Sequence, residues 1–466
     1  MRNESENTRP ASHGMTKNPE NFFAGRITDW FPGKYCVLLY LVAAVFVTPV
    51  LATGPDWTWQ FPNPDAQWGV LGQITFSPDN QYFVTTAPDG SEAFAFSVNG
   101  TLLWNYTPEN TTTDWTKIWI TGVSISPDST CIGIAAMLPG CCHGVITNTP
   151  SNKITVFDRN GSALWNFSNL EPPRSLAMSN DGQVIFAGYA TRNFSCIGME
   201  GSPRWNVTLS GPVSDIATSA EGNYILAGGE NIGGEFSDDL YLLTRNGTLV
   251  WKYQTRGRNT VGISPDAQAM VVLGDSQGNI CARNLTGEIV WKREFSRIGT
   301  AMAQSGNGNY IVAGTDDNRI HLLDDRGDEL WDYRVAEPVT SVALSDDADT
   351  IVAGTEGGMY ILNKSGALVG NFTTTTPVRA VGVSSDGTLV AGISDRIYFF
   401  HAKGNGTDTT VNSANKTPVL TGKTGSVPTS QPAPVPGVIV IFAVGFAGWR
   451  IKRKNGKKEW EILELS

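Results

Sequence analysis

The stretch NYIVAG at residues 309–314, followed by GDELW at 327–331, decides the fold of this chain. The same phrase occurs earlier as NYILAG at 223–228, followed by GTLVW at 247–251. Each copy alternates apolar strand segments with polar turns and ends in a Gly-containing turn and a Trp. Units of four short strands that recur about every forty to fifty residues are typical of a β-propeller, in which each unit forms one blade.

The first turn of each unit marks the number of copies. Each turn begins with Ser and continues with Asp, Asn, Glu, Pro or Gly, which suit tight turns because they fix φ or bond to their own backbone. Eight such turns begin at Ser77, Ser126, Ser179, Ser219, Ser264, Ser305, Ser345 and Ser384. We therefore expect an all-β domain with a single eight-bladed propeller, and seven blades are the nearest alternative.

The last copy ends at FFH, residues 399–401, and has no fourth strand of its own. The segment DWTWQF at 56–61 resembles the fourth-strand segment LWNY at 103–106 and stands ahead of the first complete unit. We expect this N-terminal segment to form the outer strand of the last blade. Pairing of the two chain ends would then close the ring and leave no open edge in that blade.

The fourth strands carry a large aromatic residue, which we expect to pack between neighbouring blades. A polar residue follows each of these Trp side chains and should point to solvent, because side chains alternate along a strand. The seventh copy has Gly370 near this place. The predicted docking residues are Trp59, Trp104, Trp165, Trp205, Trp251, Trp291 and Trp331.

The charge of the chain argues against nucleic-acid binding. The 466 residues carry a formal net charge of −10, and residues 53–433 hold 37 acidic and 23 basic side chains. Such a surface repels phosphate groups.

Both ends of the chain carry apolar segments. We interpret 1–52 as a leader in which the apolar run 35–52 is a cleaved signal or an uncleaved anchor, and Met15 is a possible start. Residues 438–449 are apolar and a basic cluster that begins at Arg450 follows them, which indicates a transmembrane anchor at 437–450 and a cytoplasmic tail at 451–466. The alternative is an apolar tail that docks on the domain. Between propeller (53–403) and anchor, the Thr/Ser/Pro-rich residues 404–436 predict a flexible stalk. The topology places the propeller outside the cell membrane.

Sites for N-linked glycosylation agree with export. The pattern Asn-x-Ser/Thr occurs thirteen times beyond the leader, and some copies are also explained as good turn chemistry. The candidate residues are Asn99, Asn105, Asn110, Asn160, Asn166, Asn193, Asn206, Asn246, Asn284, Asn363, Asn371, Asn405 and Asn415.

The two faces of the propeller differ in their loops. The second-to-third turns and the links between blades share one face, and the long insertions at 107–120, 138–152 and 229–239 fall there. Long loops on a rigid scaffold usually carry binding. Charged residues of this face could grip a carboxylate or phosphate, or could pair with one another and orient the blades. They are Arg174, Arg256, Arg258, Arg297, Arg379, Glu230, Asp275, Asp316 and Asp317.

The cysteines leave several pairings open. Cys141 and Cys142 are adjacent in the loop 138–152 and could form a vicinal disulfide, or one of them could bridge to Cys131. A metal site at this pair with His143 lacks the usual ligand spacing.

The phrase NLTGEIVW at 284–291 resembles the tryptophan-docking motif of quinoprotein alcohol dehydrogenases. The resemblance covers residues 56–401 and implies an eight-bladed fold whose central funnel binds pyrroloquinoline quinone (PQQ) with calcium. The related PQQ-like repeat proteins share the blades and often lack the cofactor, and the first-turn phrases resemble WD40-like surface propellers. In the dehydrogenases a vicinal disulfide lies against the quinone, which Cys141 and Cys142 could match. The family's calcium-binding Glu and Asn and its catalytic Asp have no clear counterpart in this sequence.

These observations favour binding over catalysis. Signal, stalk, anchor and sequons together resemble archaeal surface glycoproteins. We expect a non-enzymatic, membrane-anchored surface propeller without a cofactor, which binds an extracellular protein or glycan through its long-loop face. The alternatives are a PQQ-dependent dehydrogenase of the exterior face and an envelope assembly scaffold.

Overall fold

The computed structural model describes residues 54–62, 72–109, 118–138, 151–168, 171–229, 239–255, 259–273, 279–295, 299–402, 448–454 and 457–463. The chain divides into two compact units, 1–415 and 416–466.

The described part of the first unit folds into eight four-stranded sheets, numbered here along the chain. Sheet 1 contains β2 (Ile74–Phe76), β3 (Tyr82–Thr86), β4 (Ala93–Ser97) and β5 (Leu102–Tyr106). Sheet 2 contains β6 (Trp119–Ile125), β7 (Cys131–Met137), β8 (Lys153–Asp158) and β9 (Ala163–Phe167). Sheet 3 contains β10 (Pro173–Met178), β11 (Val184–Tyr189), β12 (Asn193–Gly198) and β13 (Pro203–Thr208). Sheet 4 contains β14 (Val213–Thr218), β15 (Tyr224–Gly229), β16 (Asp239–Thr244) and β17 (Leu249–Gln254).

The second half continues the same order. Sheet 5 contains β18 (Thr260–Ile263), β19 (Met270–Leu273), β20 (Ile280–Arg283) and β21 (Ile289–Arg293). Sheet 6 contains β22 (Gly299–Gln304), β23 (Tyr310–Thr315), β24 (Arg319–Asp324) and β25 (Glu329–Arg334). Sheet 7 contains β26 (Val339–Leu344), β27 (Thr350–Thr355), β28 (Gly358–Asn363) and β29 (Leu368–Thr373). Sheet 8 contains β30 (Ala380–Val383), β31 (Leu389–Ile393), β32 (Arg396–His401) and β1 (Trp57–Gln60).

The sheets form a closed ring. All strands pair antiparallel in the order just given, and the first strand of each sheet contacts the first strand of the next, up to β30, which contacts β2. The first strands are therefore innermost and the fourth strands outermost. The prediction of an all-β propeller built from four-stranded sheets is confirmed.

The ring closes where the sequence predicts. The N-terminal strand β1 pairs with β32, so that Trp57 lies opposite Phe399 and Trp59 opposite Ile397. The backbone N–H of Asp56 donates to the carbonyl of Phe399 at 2.8 Å, and the Asp56 carboxylate lies 2.9 Å from Nδ1 of His401. Sheet 8 thus joins residues from both ends of the repeat region.

The core lies between the sheets, because each sheet packs against two neighbours. The second strands are therefore buried on both faces, as in β27, where all six residues are buried. The fourth strands contact a neighbour with one face only, and β25 alternates between exposed and half-buried side chains from Leu330 to Arg334. The polar residues that follow the docking tryptophans, from Asn105 to Asp332, are exposed as predicted.

The first-to-second turns are stabilised by their Ser and Asp side chains. In sheet 5 the hydroxyl of Ser264 donates to Asp266 at 2.7 Å and accepts the N–H of Ala269 at 2.9 Å. The same Ser-to-Asp bond recurs in sheets 1, 2, 3, 7 and 8 at 2.6–2.8 Å. Because Asp79 of one such turn pairs with Arg159 of a third-to-fourth turn at 2.8 Å, both turn types share one face of the propeller. We name it the turn face.

Acid should weaken these turns. The N–H of Gln268 and then the hydroxyl of Ser264 lower the pKa of Asp266 by bonding to its carboxylate. A lowered folded pKa gives stability that is fully present above the unfolded pKa, about 3.9, and is lost as the pH falls through the folded pKa. We expect Asp266→Asn to lower the urea midpoint at pH 7 and to match the parent near pH 2. Exposed Glu356→Gln is the control, and an equal effect of Asp266→Asn at both pH values would contradict this role.

Each docking tryptophan of one sheet binds the third-to-fourth turn of the next sheet. Its Nε1–H donates to a backbone carbonyl of that turn at 2.6–3.2 Å. A glycine with φ between +79° and +87° lies under the ring. The Trp and Gly pairs are Trp57–Gly100, Trp104–Gly161, Trp165–Gly201, Trp205–Gly247, Trp251–Gly287, Trp291–Gly327 and Trp331–Gly366.

In β1 the position equivalent to the other docking tryptophans is held by Trp57 and not by Trp59. Trp57 donates to the carbonyl of Val98 and covers Gly100. Trp59 lies two residues further along β1, where its ring packs on Phe94 and Phe96 of sheet 1 with centroids 4.9 and 5.1 Å apart. It contributes to the same interface without binding the turn.

Gly370 replaces the docking tryptophan in sheet 7 for a topological reason. The next sheet around the ring is sheet 8, whose third and fourth strands come from opposite ends of the chain. It therefore has no third-to-fourth turn that a Trp of sheet 7 could bind.

The described part of the second unit is a β-hairpin. The strands β33 (Gly448–Lys454) and β34 (Lys457–Leu463) pair antiparallel. The hairpin begins within the last residues of the expected anchor and continues in the expected tail; residues 437–447 lie outside the described residues. Among the residues that the structure describes, no helix is long and apolar enough to cross a membrane.

Candidate functional site: a charged cleft between sheets 5 and 6

A cleft of about 270 Å³ lies between sheets 5 and 6, on the face opposite the turn face. It is formed by the end of β21 and the link that follows it, by the second-to-third turn of sheet 6, and by β24 and β25. The lining residues are Arg293, Glu294, Phe295, Thr315, Asp317, Arg319, His321, Glu329 and Asp332.

Strand periodicity places the charged side chains together. Arg319 and His321 are two residues apart on β24 and therefore point to the same side of sheet 6. In β25, Asp332 lies directly opposite His321. At the place of His321, the third strands of sheets 4, 7 and 8 carry Tyr241, Tyr360 and Tyr398.

Glu329 is the centre of the network. Its two carboxylate oxygens lie 2.7 Å from Nδ1 of His321 and 2.7 Å from Nη2 of Arg293. Burial alone would raise the pKa of Glu329, but the hydrogen bonds from His321 and Arg293 outweigh it and lower the pKa. Because Arg293 belongs to sheet 5 and Glu329 to sheet 6, this pair also joins the two sheets.

The other walls of the cleft combine charged, polar and aromatic side chains. Arg319 pairs with Asp332, and the hydroxyl of Thr315 donates to Asp317 at 2.5 Å. Phe295 packs its ring on His321, with centroids 4.7 Å apart. The cleft thus offers both signs of charge beside an aromatic surface, which suits a polar protein segment better than a ligand of a single charge.

In the part of the chain that the structure describes, no three His, Cys, Asp or Glu side chains come together in a group that could hold a metal ion. Cys141 and Cys142 lie outside the described residues. Cys196 is buried next to Trp205, and burial raises the pKa of its thiol to about 11.

The structure brings one predicted binding residue into the cleft, which is Asp317. Its neighbour Asp316 lies in the same turn, whereas Arg174 and Arg379 lie at the innermost strands of sheets 3 and 8. The other predicted residues of this face lie outside the described residues; they are Arg256, Arg258, Arg297, Glu230 and Asp275.

Sequence reasoning missed Arg293, His321 and Glu329. All three lie in regular strand positions, where no local sequence pattern marks them as part of a site. A comparison of the repeats could have singled out His321 alone, because sheets 4, 7 and 8 carry Tyr at its place.

A second cleft lies on the turn face between sheets 3 and 4. It is lined by Gln183, Val184, Cys196, Arg204, Trp205, Arg245 and Asn246. Arg245 already binds Asp181 at 2.6 Å, and Trp205 binds the carbonyl of Arg245 at 2.8 Å. These groups serve the docking of sheet 3 on sheet 4, so this cleft is the weaker candidate.

A family model described as outer membrane protein assembly factor BamB matches residues 150–303 and 283–465. Among solved structures, the chain is similar to BamB from Moraxella catarrhalis, with 14% identity, a TM-score of 0.53, and 74% of this chain and 99% of that chain covered. It is also similar to Chaetomium thermophilum Sqt1 bound to the N-terminus of ribosomal protein L10 (14% identity, TM-score 0.58, 75% and 99% covered). The C-terminal WD40 domain of Sif2 is a third (11% identity, TM-score 0.56, 72% and 97% covered). At these identities the likeness shows the fold alone. No curated protein matches the chain.

Proposed function

The chain belongs to the family described as outer membrane protein assembly factor BamB, and from this premise we propose that it is a protein-binding scaffold of the cell envelope. We take each of the eight sheets as one blade of a complete eight-bladed propeller. The observation that carries the proposal is the cleft between sheets 5 and 6, which presents charged side chains of both signs and the aromatic side chain of Phe295.

A protein partner fits the cleft better than a small ionic ligand. Arg293 and Arg319 each already have a carboxylate partner, so neither is left to bind a single phosphate or carboxylate strongly. The charged groups of a protein segment could replace one partner in each of these two ion pairs. An apolar side chain of the same segment could pack on Phe295. Sqt1, a propeller of similar fold, is bound to the N-terminus of a ribosomal protein, which shows that such a scaffold can hold a protein terminus.

The location that we propose follows from the terminal segments. Residues 1–52 would direct export, 404–436 would form the stalk, 437–450 the membrane anchor and 451–466 the cytoplasmic tail. The propeller would then lie on the outer side of the membrane, as in the archaeal surface glycoproteins that the organisation resembles. We further propose that the protein is not an enzyme and works without a resident quinone.

Site-specific photocrosslinking in cells that make the full-length chain tests the proposal. A photoreactive phenylalanine analogue at Glu294, which is 70% exposed at the cleft rim, should give a discrete protein adduct. The same photoreactive analogue at Arg326, in the third-to-fourth turn of sheet 6, is the control and should give no adduct. Combining the probe with Arg293→Gln and Arg319→Gln should reduce the adduct at least tenfold in a protein that still folds by circular dichroism. Equal adducts from both positions, or an adduct insensitive to the arginines, would show that the cleft is not the binding site.

A further inference from the structure

The sequons on the outermost strands occupy only part of the ring. The polar residue that follows the docking position is a sequon asparagine in sheets 1, 2, 3 and 7, where it is Asn105, Asn166, Asn206 and Asn371. In sheets 4, 5 and 6 the same position holds Lys252, Lys292 and Asp332, and in sheet 8 it holds Thr58. These sequons therefore fall within one arc of the ring, which runs from sheet 7 through sheet 8 (without one) to sheet 3, and the second arc, sheets 4 to 6, has no outer-strand sequon.

The strand geometry exposes both the asparagine and the hydroxyl residue of these sequons, although the hydroxyls of Ser168 and Thr208 also donate hydrogen bonds within the protein. Asn and the Ser or Thr two residues later point to the same side of a strand. In sheet 1 both Asn105 and Thr107 are exposed, and in sheet 7 both Asn371 and Thr373 are exposed. An oligosaccharide on these asparagines is compatible with the packed ring, because no further strand of the described residues lies beside the outer edge of a fourth strand.

Asn193 provides an internal contrast. It has the same tripeptide, Asn-Phe-Ser, as Asn166. Its Nδ2 group donates to Glu171 at 2.7 Å, its Oδ1 atom accepts from Thr208 at 2.8 Å, and Ser195 is only 3% exposed. A glycan on Asn193 would replace a hydrogen of the Nδ2 group that lies against Glu171, whereas Asn166 is exposed on β9.

The two arcs also differ in what else they expose. Among the exposed large apolar side chains of the described residues, Ile289 and Val290 on β21, at 52% and 59%, form one adjacent pair, and Leu249 and Val250 on β17 form a second. These pairs lie in the arc without outer-strand sequons, which also contains the cleft. Leu103 and Leu164, which are 43% and 53% exposed, instead stand two residues before a sequon asparagine. A glycan there would cover the apolar side chain and the open strand edge.

We propose that N-linked oligosaccharides on Asn105, Asn166, Asn206 and Asn371 cover the outer edges of sheets 1, 2, 3 and 7 and restrict partner binding to sheets 4 to 6. The reaction transfers an oligosaccharide from a lipid-linked phosphate donor. A bond forms between Nδ2 and the first sugar carbon, the bond from that carbon to the phosphate oxygen breaks, Nδ2 loses a proton, and the lipid phosphate leaves. The inference rests on the export part of the proposed function.

The turn-face sequons differ from these four. Asn99, Asn160, Asn246, Asn284 and Asn363 lie in or beside third-to-fourth turns. Asn284 donates its amide to Glu288 at 3.1 Å, and Asn363 accepts from Ser365 and Ala367. The role of Asn as a turn residue is thus sufficient to explain Asn284 and Asn363. Asn110, Asn405 and Asn415 lie outside the described residues.

Site occupancy in the exported protein tests the proposal. The full-length chain is produced in a secretory host, the membrane fraction is treated with protease to establish exposure, and glycan occupancy is measured by mass spectrometry after enzymatic release in ¹⁸O-water. We expect Asn166 to be at least tenfold more occupied than Asn193, together with Asn105, Asn206 and Asn371. An exported and folded protein with Asn193 occupied as fully as Asn166, or with the four sites empty, would overturn the glycan proposal and leave export standing. A chain retained in the cytoplasm would overturn both.

A glycan added inside the open arc tests the restriction. Lys292→Asn with Glu294→Thr creates a sequon on the outer edge of sheet 5, and Thr58→Asn with Gln60→Thr creates one at the matched position of sheet 8. For these two variants the photocrosslinking residue is placed at Asp317. The first variant should abolish the cleft adduct and the second should leave it unchanged. An adduct that survives a fully occupied glycan on sheet 5 would show that binding does not use this arc.

Discussion

Replacing Trp291 by alanine is expected to lower the free energy of unfolding by about 3–5 kcal/mol. The ring packs on the turn of sheet 6, and its Nε1–H donates to the carbonyl of Asp325 at 2.8 Å. Truncation removes the packing and leaves that carbonyl without its donor. The effect should be read from urea denaturation of the purified protein.

Trp291→Phe separates the two contributions. Phenylalanine keeps most of the aromatic packing and loses only the hydrogen bond, so we expect a cost of about 0.5–1.5 kcal/mol. A similar small cost for alanine would show that the sheets are held together by the innermost strands and not by the docking tryptophan.

The second large effect is expected for Gly327→Ala. Gly327 has φ of +80°, which costs a residue with a Cβ atom about 1–2 kcal/mol. A Cβ atom would also lie 2.5 Å from Cδ2 of Trp291, and displacing the ring adds about 1–3 kcal/mol. The combined loss should appear as a lower urea midpoint and a lower melting temperature.

Gly370→Ala is the matched control. A Cβ atom at Gly370 has no heavy atom within 4 Å, and its backbone is not in the left-handed region. The substitution should leave stability within about 0.5 kcal/mol or raise it slightly, because alanine restricts the unfolded chain. Equal losses for Gly327→Ala and Gly370→Ala would contradict the docking role of the turn glycine.

Much of the fold could be predicted because each sheet except sheet 8 is built from a continuous segment. Turn residues such as Ser264 and Asp266 and the Gly-x-x-x-Trp spacing of 287–291 are local patterns, and they repeat. The register of β1 is different. Trp57 and Trp59 are two residues apart and therefore point to the same side of β1. Which of them binds the turn depends on the pairing of Trp57 with Phe399, from the other end of the repeat region.

The candidate site was less predictable for the same physical reason. Arg293 and Glu329 are 36 residues apart and meet only because two neighbouring sheets stack. A sequence shows that β24 contains Arg319 and His321, but it does not show that β21 of the preceding sheet supplies their neighbours. Asp317 could be assigned to the right face because its position depends only on strand order within one sheet.

Because β1 pairs with β32, the ring of sheets can close only late in synthesis. Asp56 and His401 are 345 residues apart, and β1 has no partner until β32 has left the ribosome. At about 5–20 residues per second, this interval lasts roughly 20–70 s. During that time sheets 1 to 7 can each fold from their own segment. Strand β1, which carries Trp57 and Trp59, stays unpaired. During most of its synthesis the nascent chain is therefore an arc of sheets that is not yet closed. A factor that binds nascent chains would have to shield β1 until β32 is available.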